Sequence, residues 1–288
     1  MAAPLDGAFA GRLQALKEGL LPYLKGKHQL LEESPAGPDI TPEPDSPRAY
    51  TPGDDVRLID WSLYARLNKL YLKTTTREEE VPYVVLLDCS ESMARPDPGK
   101  FATALQVTAA LADVLLALGH RVVIVPWSTG AAARHGPYAG EGEMAEVLRV
   151  LGTTRTGGAS DLRRALADAV PSSASFKAAL VIVSDFLFPL DYRSEIEHLA
   201  GAALPLAALR VMTREEEGAR MRGNLVLIDP ETGAEEPLHA TYAAARRYQE
   251  ALRAHLAEVE SLFRRQGAAF HHALPTQPFE AIVKRMMV

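Results

Sequence analysis

The chain has 288 residues and a single cysteine, Cys89, so no disulfide framework can form within it, and its cysteine use is typical of a reducing compartment. It also has no excess of basic residues. Its 31 Lys and Arg against 37 Asp and Glu give a net charge of -6, which argues against the clustered positive surface that nucleic-acid binding needs. The first 24 residues lack the apolar core of a signal peptide, and no later segment is long and apolar enough to be expected to span a bilayer. We therefore expect a cytoplasmic protein.

The composition is that of a folded globular protein, with 47% hydrophobic and 24% charged residues. Short runs rich in Val, Ile and Leu are typical of strands that are buried on both faces. Four such runs lie at residues 83–88, 121–127, 178–185 and 205–211. Helical stretches are predicted between them, at 101–118, 143–151, 161–170 and 192–200. This alternation predicts an α/β fold, with a mostly parallel sheet and helices on both faces.

Several segments lie outside this alternation. A stripe of apolar residues between Phe9 and Leu24 predicts a helix that packs on the main domain, and six prolines at 35–52 predict an extended loop. Two strand-like pieces within 224–240 predict a hairpin insert, and a long helix, a strand near Phe270 and a closing helix from Phe279 follow it. We predict an N-terminal segment at 1–80 and a main domain at 81–288, with the hairpin insert at about 214–240.

Polar residues follow two of the predicted strands. The first strand leads into Asp88, Ser90 and Ser92 in an Asp-x-Ser-x-Ser pattern, and a later strand ends in Asp185. Ligands of open parallel sheets bind at the carboxyl ends of the strands. One carboxylate and two hydroxyls at alternate positions can face the same point, and a hard cation prefers such oxygen ligands.

This pattern resembles the metal-ion-dependent adhesion site of von Willebrand factor A domains, whose fold is Rossmann-like. The resemblance implies that Asp88, Ser90 and Ser92 form the motif, that Asp185 is the late acid, and that Ser160 in a Gly-Gly loop stands where Thr is usual. It also implies a divalent cation, foremost Mg²⁺ with Mn²⁺ or Ca²⁺ as alternatives, and a protein partner that offers a carboxylate to the metal.

A second resemblance lies upstream, in the signature segment at residues 50–66, which reads YTPGDDVRLIDW and then Ala65-Arg66. It is similar to the signature of domain-of-unknown-function family 58, whose members pair this segment with a von Willebrand factor A-like domain. The family resemblance implies an accessory or assembly factor that works with a MoxR-type AAA+ ATPase. From the residues themselves, we predict that the charged side chains of this segment form a structural ion-pair network. We also predict that Trp61 is buried and anchors the segment.

Two other interpretations remain open at this point. Cys89 and Arg95 have the spacing of a cysteine phosphatase loop, although the loop lacks glycine and carries a carboxylate. In a metal-free structural scaffold, Asp88 and Asp185 would only bond loop amides and Ser160 would only cap the following helix. There is no Walker phosphate loop, no Gly-x-Ser-x-Gly elbow and no His-Glu-x-x-His pair. We therefore interpret the chain as a binding module and not as an enzyme.

Overall fold

The structure is a computed structural model that describes residues 4–25, 50, 69–71, 82–129, 132–169, 178–201, 205–218 and 223–288. The chain divides into two compact units, Met1–Ser34 with Val81–Val288, and Pro35–Glu80. The second unit is described only at Tyr50 and at residues 69–71, where the Tyr50 amide donates a hydrogen bond to the Leu70 carbonyl at 2.9 Å. The predicted Pro-rich loop and the rest of the signature segment, including Trp61, lie outside the described residues.

A six-stranded sheet forms the centre of the first unit, in the order β3-β2-β1-β4-β5-β8. The four strands predicted from apolar runs are present, together with the predicted strand near Phe270, and these five strands are parallel. They are β1 (Tyr83–Asp88), β2 (Arg121–Trp127), β4 (Ala179–Ser184), β5 (Leu206–Val211) and β8 (Ala269–Ala273). Strand β3 (His135–Ala139) pairs antiparallel with β2 at one edge. It was not predicted, because its Gly-Pro sequence breaks the apolar pattern.

Helices cover both faces of this sheet. One face carries α1 (Gly7–Lys25), α2 (Gly99–Ala117), α3 (Met144–Thr153) and α8 (Phe279–Met287). The other face carries α4 (Leu162–Ala169), α5 (Arg193–Gly201) and α7 (Tyr242–Arg265). Because helices lie on both faces, strands β1, β2, β4 and β5 are buried on both faces, whereas β8 at the sheet edge is partly exposed. The predicted fold class is thus confirmed.

Helix α1 packs on the main domain, as its apolar stripe predicted. Every residue of the stripe is 5% exposed or less and belongs to the core that α2 and α8 share. The aromatic rings of Phe9 and Phe279 lie 4.9 Å apart, and Arg12 forms a bidentate ion pair with Glu280. The first helix is therefore part of the same compact unit as the sheet.

One expectation about apolar segments needs correction. Within the residues that the structure describes, α2 is long and apolar enough to cross a membrane by length and composition alone, and 78% of its apolar window is buried inside the molecule. A buried core helix of a globular domain passes the same test of length and composition as a membrane span.

The predicted hairpin is also present. Strands β6 (Gly223–Ile228) and β7 (Glu235–Ala240) pair antiparallel as a separate two-stranded sheet. Most of its side chains are exposed, including Val226 at 56% and Ile228 at 63%. A short helix, α6 (Arg214–Glu217), precedes the hairpin and begins with a capping box between Thr213 and Glu216.

The strand order places a crevice at the carboxyl ends of β1 and β4. The chain passes from β1 to β2 on one side, and later returns to β4 on the other side of β1. The connections leave the sheet in opposite directions at this point, and such a switch point is where ligands bind in open α/β sheets. Asp88 ends β1 and Ser184 ends β4, so both residues lie at this crevice.

Candidate functional site

Asp88 and Cys89 face opposite sides of the sheet, because side chains alternate along a strand. Val84 and Leu86 belong to the core on one side, whereas Leu87 and Cys89 belong to the core on the other. Asp88 continues the alternation of Val84 and Leu86, and its side chain is fully buried. The strand thus delivers one carboxylate to the crevice and directs the thiol into the core.

Neutral donors surround the Asp88 carboxylate. Ser184 Oγ donates to Asp88 Oδ2 at 2.6 Å, Ser160 Oγ donates to the same oxygen at 3.1 Å, and the Ser90 amide donates to Oδ1 at 2.9 Å. Ser90 Oγ and Ser92 Oγ lie 2.9 Å apart. We call these residues, Asp88 with Ser90, Ser92, Ser160 and Ser184, the Asp88 cluster. The structure therefore brings four of the five predicted ligands together.

The Asp88 carboxylate carries an uncompensated charge. Burial and the nearby charge of Asp185 raise its pKa to about 7, although the hydrogen bonds from Ser184 and Ser90 act in the opposite direction. No Lys, Arg or His in the described part of the chain forms an ion pair with Asp88. Because ionisation of a buried carboxyl is costly without a counter-charge, a cation at this point would offset part of that cost.

The Gly-Gly loop is joined to the Asp88 loop through the backbone. The Gly157 amide donates to the Cys89 carbonyl at 2.8 Å, and the Glu91 amide donates to the Gly158 carbonyl at 2.9 Å. Gly158 has φ +75°, and a Cβ built on it would lie 2.2 Å from Thr129 Oγ1. Only glycine fits such a position without strain, so the loop depends on this residue.

Ser160 does not act as the helix cap that we considered from the sequence. The carboxylate of Asp161, immediately before α4, accepts a hydrogen bond from the Arg164 amide at 3.0 Å and caps the helix instead. The Ser160 hydroxyl is directed to Asp88.

Gly158→Ala is expected to lower the free energy of unfolding by about 2 kcal/mol and to displace Ser160, because alanine meets both a positive φ and Thr129 Oγ1. The matched control is Gly157→Ala, since a Cβ at that position has nothing within 4 Å, and its effect should stay within about 0.5 kcal/mol. Chemical denaturation of both variants measures the difference. Equal stability of the two variants would contradict the assigned loop geometry.

Asp185, the fifth predicted ligand, is engaged by a lysine and not by the Asp88 cluster. Lys100 Nζ donates to Asp185 Oδ2 at 2.9 Å, and the Leu187 amide donates to Oδ1 at 3.0 Å. Lys100 Nζ also donates to Glu216 Oε1 at 2.6 Å and to the Arg95 carbonyl at 3.1 Å. Asp185 acts on the Asp88 cluster through charge repulsion.

Lys100 is fully buried, and two carboxylates keep it protonated. Burial acts to lower the pKa of the ammonium, but the charges of Asp185 and Glu216 raise it above its usual value. The lysine therefore supplies the counter-charge for Asp185. It does not pair with Asp88, whose charge has no counter-charge from Lys100.

Phe186 has a left-handed backbone, with φ +56°. Such a conformation costs a bulky residue about 1–3 kcal/mol, and the surrounding packing must hold it. The ring of Phe186 is buried against Phe188, Phe263 and Phe270, and its amide donates to Ser184 Oγ at 3.0 Å. Because the serine oxygen accepts this bond, its own hydrogen is directed at Asp88.

A carboxylate from the hairpin also reaches the Asp88 cluster. The Ser160 amide donates to Glu231 Oε2 at 3.3 Å. Burial raises the pKa of Glu231, while hydrogen bonds from the Ser160 amide and the Ser92 hydroxyl act to lower it. The sequence analysis did not select Glu231, Lys100 or Ser184 as site residues. The only local signals were a serine before the strand-end acid and a lysine at the start of an apolar helix.

The geometry does not support the phosphatase interpretation. Cys89 is 4% exposed, and its thiol donates to the Leu87 carbonyl at 3.4 Å. Burial, with a further contribution from the charge of Asp88, raises the pKa of the thiol well above its usual value. Arg95 has an exposed side chain, which pairs with Glu91 at 3.6 Å. A thiolate nucleophile and an anion-binding guanidinium are therefore not brought together.

The Cys89 thiol is expected to react with a chromogenic disulfide reagent at least about a hundredfold more slowly in the native protein than in denaturant, because it is buried and protonated. Ala243→Cys adds an exposed thiol and serves as the fast-reacting control. Rapid reaction of native Cys89 would contradict its assigned position in the core.

The Asp88 cluster consists of hard oxygen donors, namely one carboxylate and four hydroxyls. Throughout the described ranges, no group of three or more His, Cys, Asp or Glu side chains could hold a metal ion. A site with few protein oxygens and no soft ligand suits Mg²⁺ better than zinc, because Mg²⁺ keeps several of its waters.

Comparison with known sequences identifies uncharacterized relatives. The chain is 27% identical over 285 residues to the uncharacterized protein Rv1480 of Mycobacterium tuberculosis (strain ATCC 25618 / H37Rv), with 91% of this chain and 84% of that protein covered. The uncharacterized protein Mb1516 of Mycobacterium bovis matches to the same extent.

Comparison with solved structures also gives matches over much of the chain. An aerotolerance-related membrane protein from Bacteroides fragilis matches with a TM-score of 0.43 at 12% identity, over 72% of this chain and 96% of that chain. The vWF domain of the type V pili tip protein Mfa5 from Porphyromonas gingivalis matches with a TM-score of 0.36 at 12% identity, over 72% of this chain and 94% of that chain.

The family described as "Protein of unknown function DUF58" matches residues 46–258. This range includes the whole signature segment, the whole Asp88 cluster and the hairpin. Because the match covers well over half of the 288 residues, the chain belongs to the DUF58 family.

Proposed function

We propose that this protein is a metal-dependent protein-interaction module. In this proposal Asp88, Ser90, Ser92 and Ser160 hold a divalent cation, foremost Mg²⁺, and a carboxylate of a protein partner completes the coordination. The observation that carries the proposal is the buried Asp88 carboxylate, which has only neutral hydrogen-bond donors and a pKa raised to about 7. A cation would remove the cost of that buried charge.

The local charge balance bears on the strength of binding. Lys100 neutralises Asp185, so the cation depends chiefly on the charge of Asp88. Affinity for Ca²⁺ rises with the number of charged ligands, and Mg²⁺ is commonly bound by one or two carboxylates with water in the other positions. We therefore expect weak binding of the cation alone, and tighter binding when a partner adds a second carboxylate.

For the partner, we propose a MoxR-type AAA+ ATPase, as the resemblance to this family implies, and an assembly or accessory role in the cytoplasm. The test is a pull-down of a purified MoxR-type ATPase encoded in the same genome, in Mg²⁺ and in chelator. Wild type should capture the ATPase in Mg²⁺ only, and Asp88→Asn should capture none. Asp191→Asn removes an exposed carboxylate and serves as the control. Equal capture by Asp88→Asn, or equal capture in chelator, would contradict metal-dependent binding to this ATPase.

A further inference from the structure

We infer that Glu231 is an internal ligand of the Asp88 cluster, so that the hairpin supplies the carboxylate that a partner must replace. Its role toward a metal rests on the proposed function, whereas the contact itself is formed by the chain alone. Glu231 lies 71 residues beyond Ser160 in the chain, in the turn between β6 and β7. The inferred competitor is an acidic side chain, Asp or Glu, of a protein partner.

The position of the carboxylate supports this role. Glu231 Oε2 accepts a hydrogen bond from the Ser160 amide at 3.3 Å, and Ser92 lies near enough to the carboxylate for its hydroxyl to lower the pKa of Glu231. Ser92 and Ser160 are both proposed cation ligands, one on each loop of the crevice. A carboxylate that is bonded to one loop and lies near the other is placed where a cation held by the cluster would need a further oxygen ligand.

The hairpin turn is built to present this side chain. Asp229 Oδ1 accepts a hydrogen bond from the Glu231 amide at 2.9 Å, and Thr232 Oγ1 donates to Asp229 Oδ2 at 2.6 Å. The Gly233 amide donates to the Asp229 carbonyl at 2.8 Å, and Gly233 has φ +71°. Because Asp229 organises the turn locally, Glu231 is free to point away from the hairpin and contact the cluster.

The strands of the hairpin bury little apolar surface. Val226, Leu227 and Ile228 are 56%, 41% and 63% exposed, and on β7 only Ala240 is buried. Burial of apolar surface is the main contribution that holds an element against its domain. Apolar packing therefore holds the hairpin only weakly. A partner carboxylate can therefore displace Glu231 without breaking a hydrophobic core.

Hydrogen exchange in chelator tests the contact without any metal. Glu231→Ala should raise exchange at the Ser160 amide and at the amides of the hairpin turn by about tenfold, because a hydrogen bond to a charged acceptor is lost. The matched control is Glu235→Ala, which changes an exposed glutamate of the same hairpin. Unchanged exchange in Glu231→Ala would overturn the inference.

Titration with Mn²⁺ alone tests the ligand role. Glu231→Ala should bind Mn²⁺ about tenfold more weakly than wild type, and Glu235→Ala should bind as wild type does. Equal Mn²⁺ affinity of Glu231→Ala and wild type, with binding lost in Asp88→Asn, would overturn the internal ligand and leave the proposed metal site intact. Absence of Mn²⁺ binding by wild type would overturn the proposed function and the ligand role together, and the exchange result would still decide whether Glu231 holds the hairpin.

Discussion

Asp88→Asn is expected to be more stable than wild type in chelator and less stable in Mg²⁺. In chelator at about pH 8, the variant loses a buried charge without a counter-ion, and we expect a gain of about 2 kcal/mol in the free energy of unfolding. In Mg²⁺ at about 100 times the dissociation constant, wild type should gain about 2.7 kcal/mol, and the variant should gain nothing. Thermal or chemical unfolding of wild type and Asp88→Asn in both buffers measures whether the order of their stabilities reverses.

The pH dependence in chelator follows from the same carboxyl group. Its pKa is raised from 3.8 to about 7 in the folded protein, so the folded state binds more protons than the unfolded state between these values. The contribution of Asp88 to stability therefore falls as pH rises through this window, and the full cost is present above it. Asp191→Asn should leave this dependence unchanged.

A variant Asp88→Asn that is less stable than wild type in both chelator and Mg²⁺ would show that the carboxylate serves the fold alone.

Lys100→Met is expected to lower the free energy of unfolding by about 3–5 kcal/mol, because it leaves the buried Asp185 carboxylate without its counter-charge. Glu216, which is 13% exposed at its side chain, loses the same partner. Methionine retains the apolar stem of the lysine, so packing is largely preserved. Denaturant unfolding of the purified variant measures the loss.

Two further variants separate charge from packing. Arg149→Met breaks an exposed ion pair with Glu146 and should leave stability close to that of wild type, because water and salt screen the pair. Adding Asp185→Asn to Lys100→Met removes the stranded charge, so the double variant should recover part of the loss. A loss for Lys100→Met no larger than that for Arg149→Met would contradict the assigned ion-pair network.

Most of the fold could be predicted from local patterns. Strands β1, β2, β4 and β5 follow from apolar runs, because strands buried on both faces need apolar residues throughout. The stripe on α1 predicted both the helix and its packing. Strand β3 was missed because its five residues contain Gly and Pro, which do not predict a strand. Its strand conformation comes from its pairing with β2.

The sequence by itself determined what depends on alternation and short spacing. Alternation along β1 directs Asp88 to the crevice and Cys89 into the core, whereas Ser90 and Ser92 meet Asp88 in the turn and short 3-10 helix (Glu91–Ala94) that follow the strand directly. A Gly-Gly pair, of which Gly158 adopts a positive φ, allows the loop before Ser160 to approach the Asp88 loop closely.

Only the tertiary structure decided the contacts between distant segments. The register of β1 and β4 sets Ser184 beside Asp88. The packing of α2 buries Lys100 against Asp185, which is 85 residues away. The hairpin brings Glu231 to Ser160. No short-range pattern encodes these contacts, because strand register, helix packing and hairpin placement depend on interactions summed over the whole domain.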